Sequence, residues 1–136
     1  MIRRQRSFRR RGMSVVECAV IFPVTILLLM GTVVMGLGVF RYQQLQSLAR
    51  EGARYASVRG PVYAQATGNS QASASTVQTY VQGLSVGLSG LKCSSVDYSA
   101  SSLPCTVSVT LTYTWTPEGL FSPQTWTISS TMPVTY

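Results

Sequence analysis

The chain has 136 residues, enough for one small domain with an extension, and its 11 basic and 4 acidic residues give a net charge of +7. Charged residues make up only 11% of the sequence, against about 25% in typical soluble domains, and there is no histidine. The composition therefore lacks the commonest general base and the commonest metal ligand, and it favours neither an enzyme nor a metal site.

The positive charge belongs to a short N-terminal tail. Six of the 11 basic residues lie in the first eleven positions, which leaves five basic and four acidic residues for the rest of the chain. These six are Arg3, Arg4, Arg6, Arg9, Arg10 and Arg11. Because the tail directly precedes an apolar segment, where basic residues determine membrane topology, we predict no nucleic-acid interface.

The apolar segment runs from Met13 to Phe40 and contains one charged residue, Glu17. The uncharged stretch Cys18–Phe40 would span about 35 Å as a helix, which exceeds the bilayer core of about 30 Å. It is too long for the apolar region of a cleaved secretory signal or for a typical buried helix of a soluble protein. We predict a cytoplasmic leader at 1–12, a transmembrane helix at 13–40 and an exported domain at 41–136.

Helical patterns continue into the exported domain. Residues 41–59 carry small and apolar residues three and four positions apart, which predicts that the membrane helix continues to a stop at Gly60-Pro61. The polar stretch 61–74 is typical of a loop. Apolar spacing predicts a second helix over 76–91, although glycines at positions 83, 87 and 90 weaken its propensity.

The C-terminal stretch has the period of β-strands. From Cys105 to Thr116 apolar and hydroxyl residues alternate strictly, and the alternation resumes between Trp126 and Tyr136. This predicts an antiparallel β-hairpin over 105–136 whose apolar face needs the helices as a cover, because two strands alone are marginal in water. The predicted fold class is α+β, a pilin-like arrangement of a long N-terminal helix, a second helix and a small antiparallel sheet.

Two cysteines lie in the exported part. Cys93 and Cys105 are twelve positions apart, and in an oxidising compartment they could form a disulfide that adds about 3 kcal/mol. Two free thiols are the alternative interpretation. Without histidine, two cysteines supply too few ligands for a zinc site, so no metal is predicted.

No catalytic site is predicted from the sequence. The exported carboxylates, Glu51, Asp97 and Glu118, fall in three different elements, and the sequence contains neither a glycine-rich phosphate loop nor a triad with histidine. We therefore predict a protein that is not an enzyme, with no cofactor and no small-molecule substrate.

The segment around Gly12 carries a distinctive motif. In Arg10-Arg11-Gly12-Met13-Ser14-Val15-Val16-Glu17, a basic leader and a glycine precede a glutamate that would be the fifth residue after a cut between Gly12 and Met13. A carboxylate in an apolar helix is costly unless it finds a cation or reaches the interface. Such a cut would create an amino group at Met13, one helical turn from Glu17.

These residues resemble the TadE-like family of minor pilins, or pseudopilins, of the tight-adherence (Tad/Flp) pilus. The first motif resembles a prepilin-peptidase site followed by the first residues of TadE-like proteins. The segment 49–56, Ala-Arg-Glu-Gly-Ala-Arg-Tyr-Ala, is similar to the second characteristic motif of that family. Cys18 stands where the family usually has an aromatic residue. The resemblance implies processing after Gly12, a reservoir in the inner membrane, and assembly through the apolar helix into a bundle of like helices.

The resemblance also implies roles for single residues. Glu17 would pair with an N-terminal amine in the bundle, and Pro23 would kink or loosen the helix. Gly52 and Ala53 would permit close packing beside a subunit-contact surface made by Arg50 and Arg54; the alternative is a solvated face with a weak Glu51–Arg54 ion pair. Small residues at 31, 32, 36 and 38 would let apolar helices approach one another.

The function predicted in this way is that of a pilus or pseudopilus subunit in the inner membrane, with its N-terminus in the cytoplasm and its C-terminal domain outside. Its partners would be a prepilin peptidase, other pilin subunits, the Tad assembly machinery and membrane lipid. Two alternatives remain open: an unprocessed signal-anchored protein with a periplasmic binding domain, and a pseudopilin of a type II secretion-like machine.

Overall fold

The computed structural model describes residues 10–101, 104–117 and 122–135, which form three helices and one three-stranded antiparallel sheet. The α+β class predicted from the sequence is therefore confirmed. The chain divides into two compact units, with the boundary between Gly38 and Val39. The tail arginines at positions 3, 4, 6 and 9 lie outside the described residues.

Helix α1 extends over Arg10–Val58 and supplies the apolar segment of the first unit. By length and composition it is the one helix among the described residues that is suited to cross a membrane. Most large apolar side chains of this segment are exposed, among them Val16, Ile21, Phe22 and Leu29. In water such a surface would be unfavourable, so this unit requires an apolar surrounding.

The second unit begins with the last turns of α1, which place one stripe of side chains in the domain core. Leu45, Leu48, Ala49, Ala53 and Ala56 are all buried. Their spacing of three and four residues puts them on one face of the helix. Since most of them are alanines, the helix backbone lies close to the elements that it covers.

Helix α2 covers Pro61–Thr67. The prediction of a loop over 61–74 was therefore wrong for the first half of that stretch. Gly60 is the N-cap residue and Pro61 occupies the first turn, where its fixed φ suits a helix and its missing N–H is not needed. Gly68 ends the helix in a left-handed conformation with φ +72°. The Gly60-Pro61 pair thus separates α1 from a second, short helix.

Helix α3 covers Ala74–Leu84 and is shorter than the helix predicted over 76–91. Ser73 caps its N-terminus by accepting a hydrogen bond from the backbone N–H of Thr76. Beyond Leu84, Gly87 and Gly90 adopt positive φ angles of 77° and 87°, which a continuing helix does not allow. Leu88 and Leu91 are still buried, but they reach the core from the loop.

The sheet has the order β1-β2-β3, with β1 at Lys92–Tyr98, β2 at Thr106–Trp115 and β3 at Gln124–Pro133. Strands β2 and β3 pair antiparallel, as the predicted hairpin requires. Val107, Val109, Leu111 and Tyr113 of β2 are buried, and their neighbours on β3 are half-buried. Tyr136, predicted to share this apolar face, lies outside the described residues.

Strand β1 was not predicted. Its register against β2 shifts between Cys93 and Ser95, so that Cys93 lies opposite Leu111 but Ser95 lies opposite Thr110. This bulge adds a residue to the strand and interrupts the alternation of apolar and polar residues from which strands are recognised. The polar composition of the strand, KCSSVDY, further hides it.

The structure contradicts the predicted Cys93–Cys105 disulfide, because both cysteines are free and buried. Cys93 lies opposite Leu111, whereas Cys105 precedes the first residue of β2. Six residues of extended chain separate positions 105 and 111, about 20 Å at about 3.3 Å per residue. A disulfide needs Cα atoms within about 7 Å, so the two thiols lie too far apart to pair.

Candidate assembly site

The predicted processing site lies at the start of α1. The helix begins at Arg10, so the backbone of Gly12 and Met13 is helical. The side chains at these two positions are outside what the structure describes. Residues 1–9 of the basic leader also lie outside it. Cleavage between Gly12 and Met13 remains a prediction, based on the sequence motif and on its position immediately before the apolar segment.

Glu17 is exposed on the apolar part of α1, among exposed neighbours that include Val16, Val20 and Ile21. No lysine or arginine occurs between Ser14 and Phe40. A cation for Glu17 must therefore come from its own N-terminal side or from another molecule. Four residues of α-helix rise about 6 Å, so residue 13 lies one turn away.

Pro23 lies inside α1, and the helix is continuous on both sides of it. Since proline has no N–H, the carbonyl of Ala19 receives no hydrogen bond from position 23. Nearby hydroxyls are satisfied within the helix: Thr25 donates to the carbonyl of Ile21 and Thr32 to that of Leu28, each at 2.9 Å. These bonds hide polar groups that would otherwise face lipid. A kink at Pro23 remains a prediction.

Two glycines of the apolar segment face open space. A Cβ atom added at Gly31 or Gly36 would meet nothing within 4 Å. Both positions are therefore open to a neighbouring helix, whose backbone could approach more closely at a glycine than at a larger residue.

Gly52 and Ala53 have a different environment from the one predicted. A Cβ atom at Gly52 would lie 3.2 Å from Val81, 3.3 Å from Val77 and 3.5 Å from Val109. Ala53 is fully buried. Gly52 therefore packs against α3 and β2 of the same chain, and Ala53 belongs to the same buried core. Their assignment to a surface for other subunits was wrong, because they belong to the core.

Arg50 and Arg54 are exposed, whereas Glu51 is half-buried. Glu51 and Arg54 line a surface groove of about 440 Å³ with Val58, Arg59 and three tyrosines, Tyr55, Tyr63 and Tyr80. The rings of Tyr55 and Tyr80 stack with centroids 4.2 Å apart, and the Arg59 guanidinium lies 4.1 Å from the Tyr55 centroid. Sequence reasoning missed this stack, because α1 and α3 bring its tyrosines together only in the fold.

Tyr98 of β1 connects the sheet to the end of α1. Its hydroxyl lies 3.1 Å from the carbonyl oxygen of Ala56, 3.3 Å from that of Arg59 and 3.4 Å from that of Ala72. The single phenolic proton can be donated to one of these oxygens at a time. Burial, with a smaller contribution from Cys105, raises the pKa of Tyr98 to about 12. The hydroxyl therefore stays protonated and joins three segments of the domain.

The residues of the site are suited to helix packing. Among the residues that the structure describes, no group of three or more cysteine, aspartate or glutamate side chains is arranged to hold a metal ion. The apolar part of α1 carries one carboxylate and glycines that face open space. A small packed domain follows it in sequence. Such features suit association of helices in lipid or in a bundle.

Comparison with known proteins finds a similarity in the N-terminal part of the chain. No curated protein and no solved structure matches the chain. The family model described as TadE-like protein matches residues 12–54, which covers the predicted processing glycine, the apolar segment and the second motif up to Arg54. The resemblance inferred from the two motifs is thereby confirmed. Residues 12–54 are therefore similar to the TadE-like family.

Proposed function

We propose that the chain is a minor pilin or pseudopilin of a Tad/Flp-type pilus, processed after Gly12 and assembled through the apolar part of α1. The observation that carries the proposal is the position of the exposed apolar surface. It lies wholly within the segment that matches the TadE-like family, and most of the large apolar side chains between Val15 and Phe40 are exposed. An apolar helix of this kind requires lipid before assembly and other helices afterwards.

The first step is insertion and processing. The arginine leader holds the N-terminus in the cytoplasm while the domain from residue 41 onward is exported. A prepilin peptidase then cuts between Gly12 and Met13, which removes all six tail arginines and creates an amino group at Met13. The mature subunit remains in the inner membrane, because the apolar segment itself is unchanged.

The second step is transfer from lipid to a helix bundle. The same side chains, such as Ile21, Leu28 and Leu29, are surrounded by apolar atoms in either environment, so the transfer need not be costly. Packing at Gly31 and Gly36 favours the bundle, since backbones can approach there. Glu17 then pairs with the amine of Met13 in its own or a neighbouring subunit, which disfavours helices that are out of register.

Arg50 and Arg54 provide a second contact. Both are exposed on the face of α1 opposite its buried stripe, so they are free to meet neighbouring subunits. Arginine forms bidentate hydrogen bonds with carboxylates, so the partner surface would be acidic.

Glu17→Ala tests the assembly step. The substitution removes a costly carboxylate, so membrane insertion should persist, while recovery in sheared surface fractions should fall by about tenfold, the size of a lost charge-assisted bond. Cys18→Ala is the matched control, since it changes an adjacent exposed residue without altering charge. Equal recovery of Glu17→Ala and wild-type protein in the surface fraction would contradict the proposed role of Glu17.

A further inference from the structure

The two edges of the sheet differ in how they are protected against other strands. Strand β1 has a bulge between Cys93 and Ser95 and two exposed charged residues, Lys92 and Asp97. Bulges and charges are the usual means by which proteins prevent pairing at a sheet edge. Strand β3 has ten residues, Gln124–Pro133, with no charge and a regular register against β2. The described residues provide no strand beside its outer edge.

The backbone groups on the outer edge of β3 follow from its pairing. The N–H of Val134 donates to the carbonyl of Cys105 at 2.9 Å, so even-numbered residues of β3 are bonded to β2. The N–H of Thr135 points the other way and donates to the carbonyl of Ser57 at 3.3 Å. The outward-facing backbone groups therefore belong to odd-numbered residues. Those inside the strand are Thr125, Thr127, Ser129 and Thr131.

This outer row is nearly symmetric about Ile128. Read outward from that residue, Thr127 and Ser129 come first, then Thr125 and Thr131, then Pro123 and Pro133. Proline has no N–H to donate, so the two prolines limit the pairing edge at equal distances from its centre. An edge with this symmetry is complementary to itself when two copies run antiparallel.

We propose that β3 pairs antiparallel with β3 of a second copy of the chain, about a two-fold axis at Ile128, so that two sheets become one of six strands. In this register Thr127 lies opposite Ser129 of the second copy, and Thr125 lies opposite Thr131. All four outward residues of each copy are paired, with two hydrogen bonds in each pair. The prolines meet each other beyond the last bonds, where no donor is required.

Side chains along β3 agree with a second copy as the occupant. A symmetric antiparallel pair places each residue near its own kind, so a charged strand would repel itself, and β3 carries no charge. Ile128 is half-buried, and in this register it lies against Ile128 of the second copy, which covers its remaining apolar surface. The hydroxyl side chains of both strands continue as one uncharged outer face.

Cysteine cross-linking in the full-length, membrane-inserted chain tests the register. Ile128→Cys is made in a Cys18→Ala background, because Cys18 is exposed on α1. In the proposed register the two copies of residue 128 face each other as a non-hydrogen-bonded pair. Their Cα atoms would lie about 4.5 Å apart, which permits a disulfide. The control is Ser130→Cys, since residue 130 lies on the same face and is also half-buried. In this register residue 130 of one copy lies about 13 Å from residue 130 of the other. We expect Ile128→Cys to form dimers about tenfold faster than Ser130→Cys.

Charged pairs across the edge provide a second test. Thr127 and Ser129 are exposed, so substitution should leave the fold intact. Thr127→Lys with Ser129→Lys places lysine opposite lysine twice, and the cross-linked fraction of Ile128→Cys should fall about tenfold. Thr127→Lys with Ser129→Glu places opposite charges at the same positions and should keep the cross-linked fraction near that of the parent.

Equal cross-linking of Ile128→Cys and Ser130→Cys, cross-linking of Ile128→Cys mainly to a different envelope protein, or no loss with the two lysines would each overturn the proposal. These measurements do not depend on processing after Gly12 or on recovery in pili, so their failure is distinguishable from a failure of the proposed function.

Discussion

Two stretches of α1 use their apolar side chains in different ways. Up to Gly38 the apolar residues surround the helix, and the consecutive Leu27, Leu28 and Leu29 are all at least 62% exposed. From Leu45 to Ala56 the buried residues lie in one stripe, in which Leu45 and Ala49 are fully buried. The first stretch therefore requires an apolar environment on every side, whereas the second completes a core within its own chain.

The largest expected effect comes from the same substitution made in each stretch. Leu45→Ala removes a fully buried side chain and should lower the free energy of unfolding of the domain by about 2–5 kcal/mol. Leu29→Ala, in the exposed stretch, should leave it unchanged. Both tryptophans, Trp115 and Trp126, are in the sheet, so their fluorescence during urea unfolding of the full chain in detergent measures domain stability. Equal destabilisation by the two variants would contradict the assignment of only the second stretch of α1 to the core of the domain.

Valine substitutions at one glycine in each stretch of α1 should have smaller effects. Gly52→Val adds atoms where Val81 and Val77 would lie 3.2 and 3.3 Å from a Cβ, and should destabilise the domain by about 1–3 kcal/mol. Gly36→Val meets open space and should leave urea unfolding of the domain unchanged, while reducing assembly by separating neighbouring helices. A Gly52→Val domain as stable as the wild type would show that α1 does not approach α3 closely.

Tyr98→Phe tests the connection between the sheet and the end of α1. Removing the hydroxyl leaves the carbonyls of Ala56, Arg59 and Ala72 without that donor and should cost about 1 kcal/mol. Because folding raises the pKa of Tyr98 to about 12 from an ordinary value of 10.0, its contribution is complete below pH 10 and is lost as the pH rises towards 12.

The stability of Tyr98→Phe at alkaline pH provides the control for that prediction. Urea midpoints measured from pH 9 to pH 12 should decline more steeply in the wild type than in the variant. Parallel declines in both proteins would contradict the assignment of this pH dependence to Tyr98.

The smallest expected effect is that of reductant on domain stability. Since Cys93 and Cys105 are free, dithiothreitol should not change the urea midpoint. Burial raises the pKa of the Cys93 thiol, so maleimide should label it slowly in the folded chain and completely after unfolding. Two exported thiols that become reactive only after reduction would reinstate the disulfide and contradict the observed register.

Strong periodicity made most of the fold predictable. The uncharged run after Cys18 and the strict alternation from Cys105 each indicate one structure, and both α1 and the β2–β3 pair were found. Strand β1 was missed because its bulge breaks the alternation. Helix α2 was missed because Gly60-Pro61 is a stop for one helix and also a start for the next.

The site was predictable only as far as local sequence determines it. The motif at Gly12 and Glu17 is contiguous, so it was recognised directly and the family match includes both residues. The environment of Gly52 depends on Val77, Val81 and Val109, which are distant in sequence and meet only in the fold. The disulfide prediction failed for the same reason, since the spacing of two cysteines does not determine strand register.

If the chain is processed as proposed, the mature protein begins at Met13, immediately before the apolar part of α1. Mass spectrometry of the protein purified from the envelope of its own cells tests this most directly. We expect an N-terminal peptide that begins at Met13, and accumulation of the full-length form when Gly12 is replaced by leucine. Wild-type protein that retains residues 1–12 in both membrane and surface fractions would contradict it.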